Sequence, residues 1–505
     1  MASPLFHSAS FQHMIKTAVA CISSCCTIRA GLLGLLLASL IAGTVHAYTD
    51  IIDDSDLPSV GEPADRVMTQ AEEARIKRFL KAQLYGHLPI SEDPESNAYI
   101  RALANHILSR TGITQEFDLL IVRNRQVNAF AMPGGLLAFY TGLITKARNE
   151  SELAGVIAHE MAHVTQRHLA RMQDHMTNSN LSLLTMAGVI LAGITQTSAL
   201  LPAAVLGQAV ETQRFLNYSR SNEQEADRFA SQFLAKSGID PHGVANFFEV
   251  LLKHSGHRYG KDFEYLSTHP TTPSRIVEGR DRARQYQGTY LQDREEFRFI
   301  RQRLISLQTP THERLDLFQK QLDAGDQPGA AEQYGIAVAW QKHGDHAKAL
   351  EILHGIQADA PELRLLLNLA IAESHKHLGR LDQAIGILEL LYQENPAHAA
   401  PEFYLAQAYL AAKQPEQALK LIRKRIRRGI ENPQTYRLLA EAANATGQPV
   451  ISHIALADHY LSKGQLRQAA LQLEIAEKHT KADSANQARI DHRRAEILIM
   501  ARELY

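Results

Sequence analysis

A chain of 505 residues, 45% of them apolar and 21% charged, has the composition of an ordinary globular protein. It is too long for a single hydrophobic core, so two or three domains are expected. The formal net charge of -1 excludes a polyanion-binding surface spread over the whole chain, and no nucleic-acid partner is expected. A local basic cluster, Arg423-Lys424-Arg425-Ile426-Arg427-Arg428, reads as a solvated helix end.

The chain opens on a targeting segment. Lys16 and Arg29 precede an uncharged run over 30–45, Leu-rich at its centre, which ends Thr44-Val45-His46-Ala47. The small residues before a cut after Ala47 assign 1–47 to a secretory signal peptide, with a retained membrane anchor as the competing reading. All three cysteines, Cys21, Cys25 and Cys26, fall in this leader. The mature chain then has none, so any metal it binds must use nitrogen and oxygen ligands, and no disulfide helps it fold.

After an acidic, turn-rich arm, helical patterns cover 67–85 and 96–110. Strands are expected over 117–122, 127–131 and 136–141, with Pro133-Gly134-Gly135 turning the chain between the last two. Asn149-Glu150-Ser151-Glu152 has the form of a capping box, which starts a helix running to about Gln173. No charged residue occurs between Met176 and Val210. The stretch over 181–206 is interrupted too early for a membrane helix and is read as a buried or lipid-touching amphipathic hairpin, a spanning hairpin being the alternative. Charged helices between Arg282 and Gln327 are expected to join the two halves.

The C-terminal part repeats. Gly344-Asp345-His346-Ala347-Lys348-Ala349-Leu350 recurs at Gly379–Ile385 and Lys413–Leu419, spacings of 35 and 34 residues, the tetratricopeptide period. A further copy at Gly464–Ala470 stands 51 residues on, which predicts an irregular turn of the solenoid. The expected fold is therefore a mainly helical α+β domain with a small sheet over 48–310, then an all-α tetratricopeptide solenoid over 311–505.

The chemistry sits in His159-Glu160-Met161-Ala162-His163. Two histidines four apart share a helix face and reach one divalent metal at about 2.0–2.1 Å, with Glu160 beside them to meet the activated water. A third ligand must come from elsewhere. In Asn222-Glu223-Gln224-Glu225-Ala226-Asp227, Glu223 and Asp227 lie one turn apart on one face. Glu223 would complete a two-histidine, one-glutamate set, and Asp227 would accept the free ring N–H of a ligand histidine; the reverse assignment fits less well because aspartate reaches less far. Glu225 is read as a solvated carboxylate and His168, off the ligand face of a continuous helix, as structural. Arg275 either supports an oxyanion or carboxylate at the site or pairs with a neighbour.

This combination resembles the gluzincin metallopeptidases, which include the HtpX heat-shock protease and the CAAX prenyl endopeptidases. More closely, it is similar to the BepA-type periplasmic metalloprotease-chaperones of Gram-negative bacteria. The shared order is signal peptide, zinc motif extended as Val164-Thr165-Gln166-Arg167-His168, Asn222–Arg228, Thr268-His269-Pro270 with Ser274-Arg275, and the repeats. The resemblance implies one zinc ion per chain and Glu160 as general base. It implies His269 as a fourth, regulatory ligand that fills the water's position and keeps the enzyme latent. It also implies that Asn128–Gly135 is an edge strand for extended substrates, a structural hairpin being the competing reading. Implied partners are unfolded or stalled outer-membrane proteins and, through the repeats, the β-barrel assembly machinery. Relatives of this kind carry disulfide-forming cysteines that this mature chain lacks, which sets redox control of that sort aside.

The first functional expectation is thus a periplasmic zinc endopeptidase with chaperone-like activity. A repeat scaffold with a purely structural zinc site would not need Glu160. An inner-membrane quality-control protease would need the apolar segment to span the bilayer.

Overall fold

The computed structural model describes residues 70–168, 171, 209–255, 265, 269–270, 272–325, 327–430, 432–480 and 484–504. Residues 1–47, where a leader is expected, with their cysteines, the apolar segment over 181–206 and Thr268 lie outside the described residues. No helix among the described residues is long and apolar enough to cross a membrane.

Helices α1 (Gln70–His87) and α2 (Pro94–Thr111) precede the sheet. Local chemistry sets the limits of α2. Asp93 accepts a bond from Ser96 N at 3.0 Å, Pro94 occupies the first turn, and Gly112 at φ 74 ends it. Strands β1 (Asp118–Val122), β2 (Ala129–Met132) and β3 (Leu136–Tyr140) are ordered β1-β3-β2, so β2 is an edge. β3 runs parallel to β1 and antiparallel to β2. The three expected strands form, each within two residues of its predicted start. The β2–β3 turn requires glycine: Gly135 has φ 76, and a Cβ there would lie 2.4 Å from the Glu116 carbonyl. Period-two alternation then sorts the side chains. Leu120, Phe130, Met132 and Ala138 meet Leu80 and Leu84 of α1, while Leu119, Ile121, Leu137 and Phe139 face the main core.

Helix α3 (Thr141–Lys146) leads into α4 (Glu150–Thr165), the motif helix. Asn149 caps α4 by accepting from Glu152 N at 3.0 Å, as expected. The Glu152 carboxylate, however, accepts from Arg148 N rather than closing the box on Asn149. α4 also stops well short of Gln173. Arg167 N donates to the Val164 carbonyl at 2.9 Å, and Arg167 takes a left-handed φ of 51, which turns the chain after α4. Helices α5 (Ala209–Ser237), α6 (Gly243–Ser255), α7 (Pro273–Gln285), α8 (Glu295–Gln308) and α9 (Thr311–Asp323) follow. α6 meets α4 backbone to backbone: a Cβ on Gly155 would sit 2.8 Å from Val244 N.

The solenoid consists of α10 (Ala330–His343), α11 (His346–Gly355), α12 (Pro361–His377), α13 (Leu381–Glu394), α14 (Ala399–Ala411), α15 (Pro415–Arg427), α16 (Pro433–Ala445), α17 (Pro449–Ser462), α18 (Leu466–His479) and α19 (Ser484–Leu504). Paired helices are joined through a left-handed residue at Gly344, Gly379, Lys413 and Gly447. The Gly447 pair fills the gap read as an irregular turn. Ser452 stands where Ala349, Ala384 and Ala418 stand in the other units, is buried, and donates its hydroxyl to the Ala440 carbonyl at 2.9 Å. The copy at Gly464 follows after one further helix, α17.

The first repeats share a core with the rest. The apolar cluster that begins at Tyr99 continues through Phe297 and Ile300 of α8 to Leu366 and Ile371 of α12. Beside it lies a buried polar knot. Arg303 of α8 is 2.6 Å from Asp93 and 2.9 Å from Glu95. The Tyr404 hydroxyl of α14 donates to Glu95 at 2.7 Å.

Candidate metal centre

Helix α4 presents His159 and His163 one turn apart, and α5 runs alongside to present Glu223 and Asp227 one turn apart in the same way. His269 enters from the chain just before α7. The nitrogen and oxygen atoms that could ligate a metal on His159, His163, Glu223 and His269 all lie within 4.8 Å of one another. Several separations are much tighter. His159 Nε2 is 3.0 Å from His163 Nε2, 3.5 Å from Glu223 and 3.4 Å from His269 Nδ1. Glu223 Oε1 is 3.4 Å from His163 Nε2 and 3.0 Å from His269 Nδ1. With bonds of about 2.0–2.1 Å, the corners of a tetrahedron stand roughly 3.4 Å apart, so this donor set fits a four-coordinate cation.

The surrounding charges hold the donors in place. Asp227 lies 3.0 Å from His159 Nδ1 and takes a two-pronged contact from Arg275, both bonds at 2.8 Å. Arg275 is also 3.0 Å from Glu223 and packs over the Phe248 ring. Of the two readings left open for Arg275, the geometry realises carboxylate support. Burial opposes protonation of His159, but bonds and charge from Asp227 and Glu223 push its imidazole up to about 10. Burial pushes His163 down to about 3, helped by the imidazoles of His159 and His269 and opposed by Glu223. Burial would raise Glu223, yet the His269 charge and the imidazole contacts hold it well below the usual carboxylate range.

Glu160 is fully buried, and neither of its carboxylate oxygens has a hydrogen-bond partner among the described residues. A buried carboxylate so placed is costly unless a water or cation completes it. His269 Nε2 is 3.6 Å away, so His269 stands at once in the fourth corner of the donor set and over Glu160. Its ring stacks on Tyr265, centroids 4.6 Å apart. Tyr265 N donates to the Val127 carbonyl at 3.0 Å. Tyr140 N donates to the Asn128 carbonyl, which fixes the alternation of β2 and turns the backbone groups of Val127, Ala129 and Ala131 away from β3.

Two residues lie elsewhere than a continuous motif helix predicts. The left-handed Arg167 swings His168 back, and its Nδ1 comes 2.8 Å from His163 Nδ1. Glu225 is not a free solvated carboxylate: its Oε2 is 3.0 Å from both His168 Nε2 and Arg171. The signal that could have found them is the histidine itself, because a ligand imidazole needs a partner on its far nitrogen.

Residues 90–283 match the model of peptidase family M48, and residues 376–442 match a tetratricopeptide repeat model. The chain is 30% identical over 478 residues to the β-barrel assembly-enhancing protease of Escherichia coli K12, covering 92% of this chain and 96% of the relative. It is 31% identical over 473 residues to the protein of the same name from Yersinia pestis, covering 91% and 96%. A mitochondrial metalloendopeptidase, OMA1 of Bos taurus, is 29% identical over 236 residues, 44% of this chain and 43% of its own. The smaller overlap leaves more than half of this chain unmatched there, whereas the bacterial proteases match almost all of it. The chain is a metalloendopeptidase that belongs to family M48 and, within it, to the β-barrel assembly-enhancing proteases.

Proposed function

We propose that the protein is a zinc-dependent endopeptidase of the periplasm that serves outer-membrane protein assembly and quality control, with chaperone-like activity and latency through His269. In this reading 1–47 is the cleaved leader, 48–310 the peptidase and 311–505 the docking repeats. The partners are unfolded or stalled outer-membrane proteins and the β-barrel assembly machinery. The segment over 181–206 would make peripheral membrane contact. The name carried by the relatives supports the assembly role, and the repeats supply the kind of concave surface that binds protein.

The observation that carries the catalytic assignment is the donor set at tetrahedral spacing with, beside it, a buried carboxylate that no hydrogen bond satisfies among the described residues. His159, His163 and Glu223 would hold the ion. Zinc so held supplies Lewis acidity, polarising the scissile carbonyl and lowering the pKa of water towards about 7. Glu160 takes the proton from the attacking water and passes it to the leaving amine. Asp227 fixes the ring of His159, and Arg275 balances the charge of Asp227 and Glu223. An extended substrate would add to β2 through the backbone groups of Ala129 and Ala131, which gives affinity without strong side-chain selectivity. His269 must first withdraw, and Tyr265 must give up the Val127 carbonyl.

Glu160→Gln tests the assignment against wild type. Zinc content measured by mass spectrometry should be unchanged, while cleavage of an unfolded barrel protein should be lost. Equal cleavage by the two proteins would end this reading.

A further inference from the structure

Each ligand imidazole in such a site needs an anchor on its second nitrogen, because the anchor selects the tautomer that points a lone pair at the metal. For His159 the group standing at Nδ1 is the Asp227 carboxylate, 3.0 Å away. For His163 no carboxylate among the described residues lies against Nδ1; the atom there is Nδ1 of His168, at 2.8 Å. His168 is 2% exposed, and its other nitrogen, Nε2, is 3.0 Å from Glu225 Oε2, where Arg171 also donates at 3.0 Å.

We infer that His168 and Glu225 are positioning residues for the metal centre, a relay in which His163 is anchored to a carboxylate through a second imidazole. The hydrogen-bond inventory permits one consistent arrangement. His163 Nε2 faces the metal and carries no proton, so His163 Nδ1–H donates to His168 Nδ1. His168 Nε2–H then donates to Glu225, and Arg171 donates to the same carboxylate and balances its charge. Both imidazoles are neutral and both tautomers are fixed.

Two features of the chain serve this arrangement. The left-handed Arg167, in a conformation unfavourable for a residue with a side chain, brings His168 round to the far side of His163. The run Glu223-Gln224-Glu225-Ala226-Asp227 then supplies three separate services from little more than one turn of α5. Glu223 is the ligand, Asp227 the direct anchor of His159, and Glu225, on another face, the remote anchor of His163. The extra imidazole spans the distance that this difference of face creates.

The inference rests on the metal centre proposed above, and the test separates the two. Zinc dissociation constants are measured by chelator competition on the full-length chain, and the ring tautomer of His163 by its nitrogen chemical shifts. His168→Leu should weaken zinc binding by about 10- to 100-fold. His168→Asn offers a carbonyl oxygen near the position of Nδ1, accepts the same bond, and should restore most of the affinity. Glu225→Ala, at the rim and free of folding problems in the core, should weaken binding in the same direction. If His168→Leu or Glu225→Ala binds zinc like wild type, or if His168→Asn is as weak as His168→Leu, the relay is overturned while the centre stands. If wild type binds no zinc, the centre itself falls, and the relay with it.

Discussion

Replacing Glu95 with glutamine isolates the buried knot that fastens α2 to the repeats. Burial, together with the Asp93 carboxylate beside it, pushes Glu95 from 4.5 up to about 8, against the pull of Arg303 and Tyr404. The folded protein therefore holds this proton more tightly than the unfolded chain does. The resulting stabilisation is complete below about pH 4.5 and is lost as pH rises through 8. At about 1.4 kcal/mol per unit, the full loss is on the order of 4–5 kcal/mol. Glutamine is neutral throughout, has the same volume, and still accepts the Tyr404 hydroxyl. Relative to wild type, Glu95→Gln should be level to within about 1 kcal/mol at pH 5, the size of one rearranged hydrogen bond. At pH 9 it should be the more stable protein by a few kcal/mol. Denaturant unfolding followed by the single tryptophan, Trp340, measures this directly, with chelator present so that metal release adds no pH dependence of its own. A stability difference that stays constant between pH 5 and pH 9 would refute the reasoning.

Other outcomes follow from the site and its packing. His269→Ala should raise basal cleavage of an unfolded barrel protein by about 10- to 1,000-fold, the range expected if the open form is a minor state; an unchanged rate removes the latency role. Arg275→Ala removes the guanidinium from Asp227 and Glu223, leaving these buried carboxylates only their imidazole contacts, and should cost about 3–5 kcal/mol in the metal-free protein, read as a lower unfolding midpoint. Gly155→Ala forces a Cβ against Val244 N and should destabilise by about 1–3 kcal/mol, a cost that thermal unfolding would register. Chelation should abolish cleavage, and added zinc, but not magnesium, should restore it, since two imidazoles and a carboxylate suit zinc and not a hard cation that prefers oxygen.

What the sequence made legible was whatever obeys a fixed period. His159 with His163, and Glu223 with Asp227, are each four apart, so one helix pitch was enough to face them inward. The strand alternation and the 34-residue repeat were readable for the same reason. What escaped depended on a break in a period. His168 reads as structural because a motif helix continued through Arg167 carries it off the ligand face, and a left-handed turn at an arginine carries no compositional mark. The repeat unit at Gly447 was hidden because Ser452 occupies the alanine position; its hydroxyl is tolerated there only because the Ala440 carbonyl accepts it. The role of Arg275 turned on which of several carboxylates it would meet, a matter of tertiary packing that spacing alone does not encode.

The division of donors between α4 and α5 has a thermodynamic consequence. Two of the four candidate ligands belong to one helix and one to the other, so an ion in the centre is a cross-link between segments more than fifty residues apart in sequence. Occupancy and folding must then be coupled by mass action: at a free-ion level one hundred times the dissociation constant, the native state gains about 2.7 kcal/mol. The melting temperature of this enzyme should accordingly track the ambient metal supply, and a cell short of the ion would carry a softer protein as well as an inactive one.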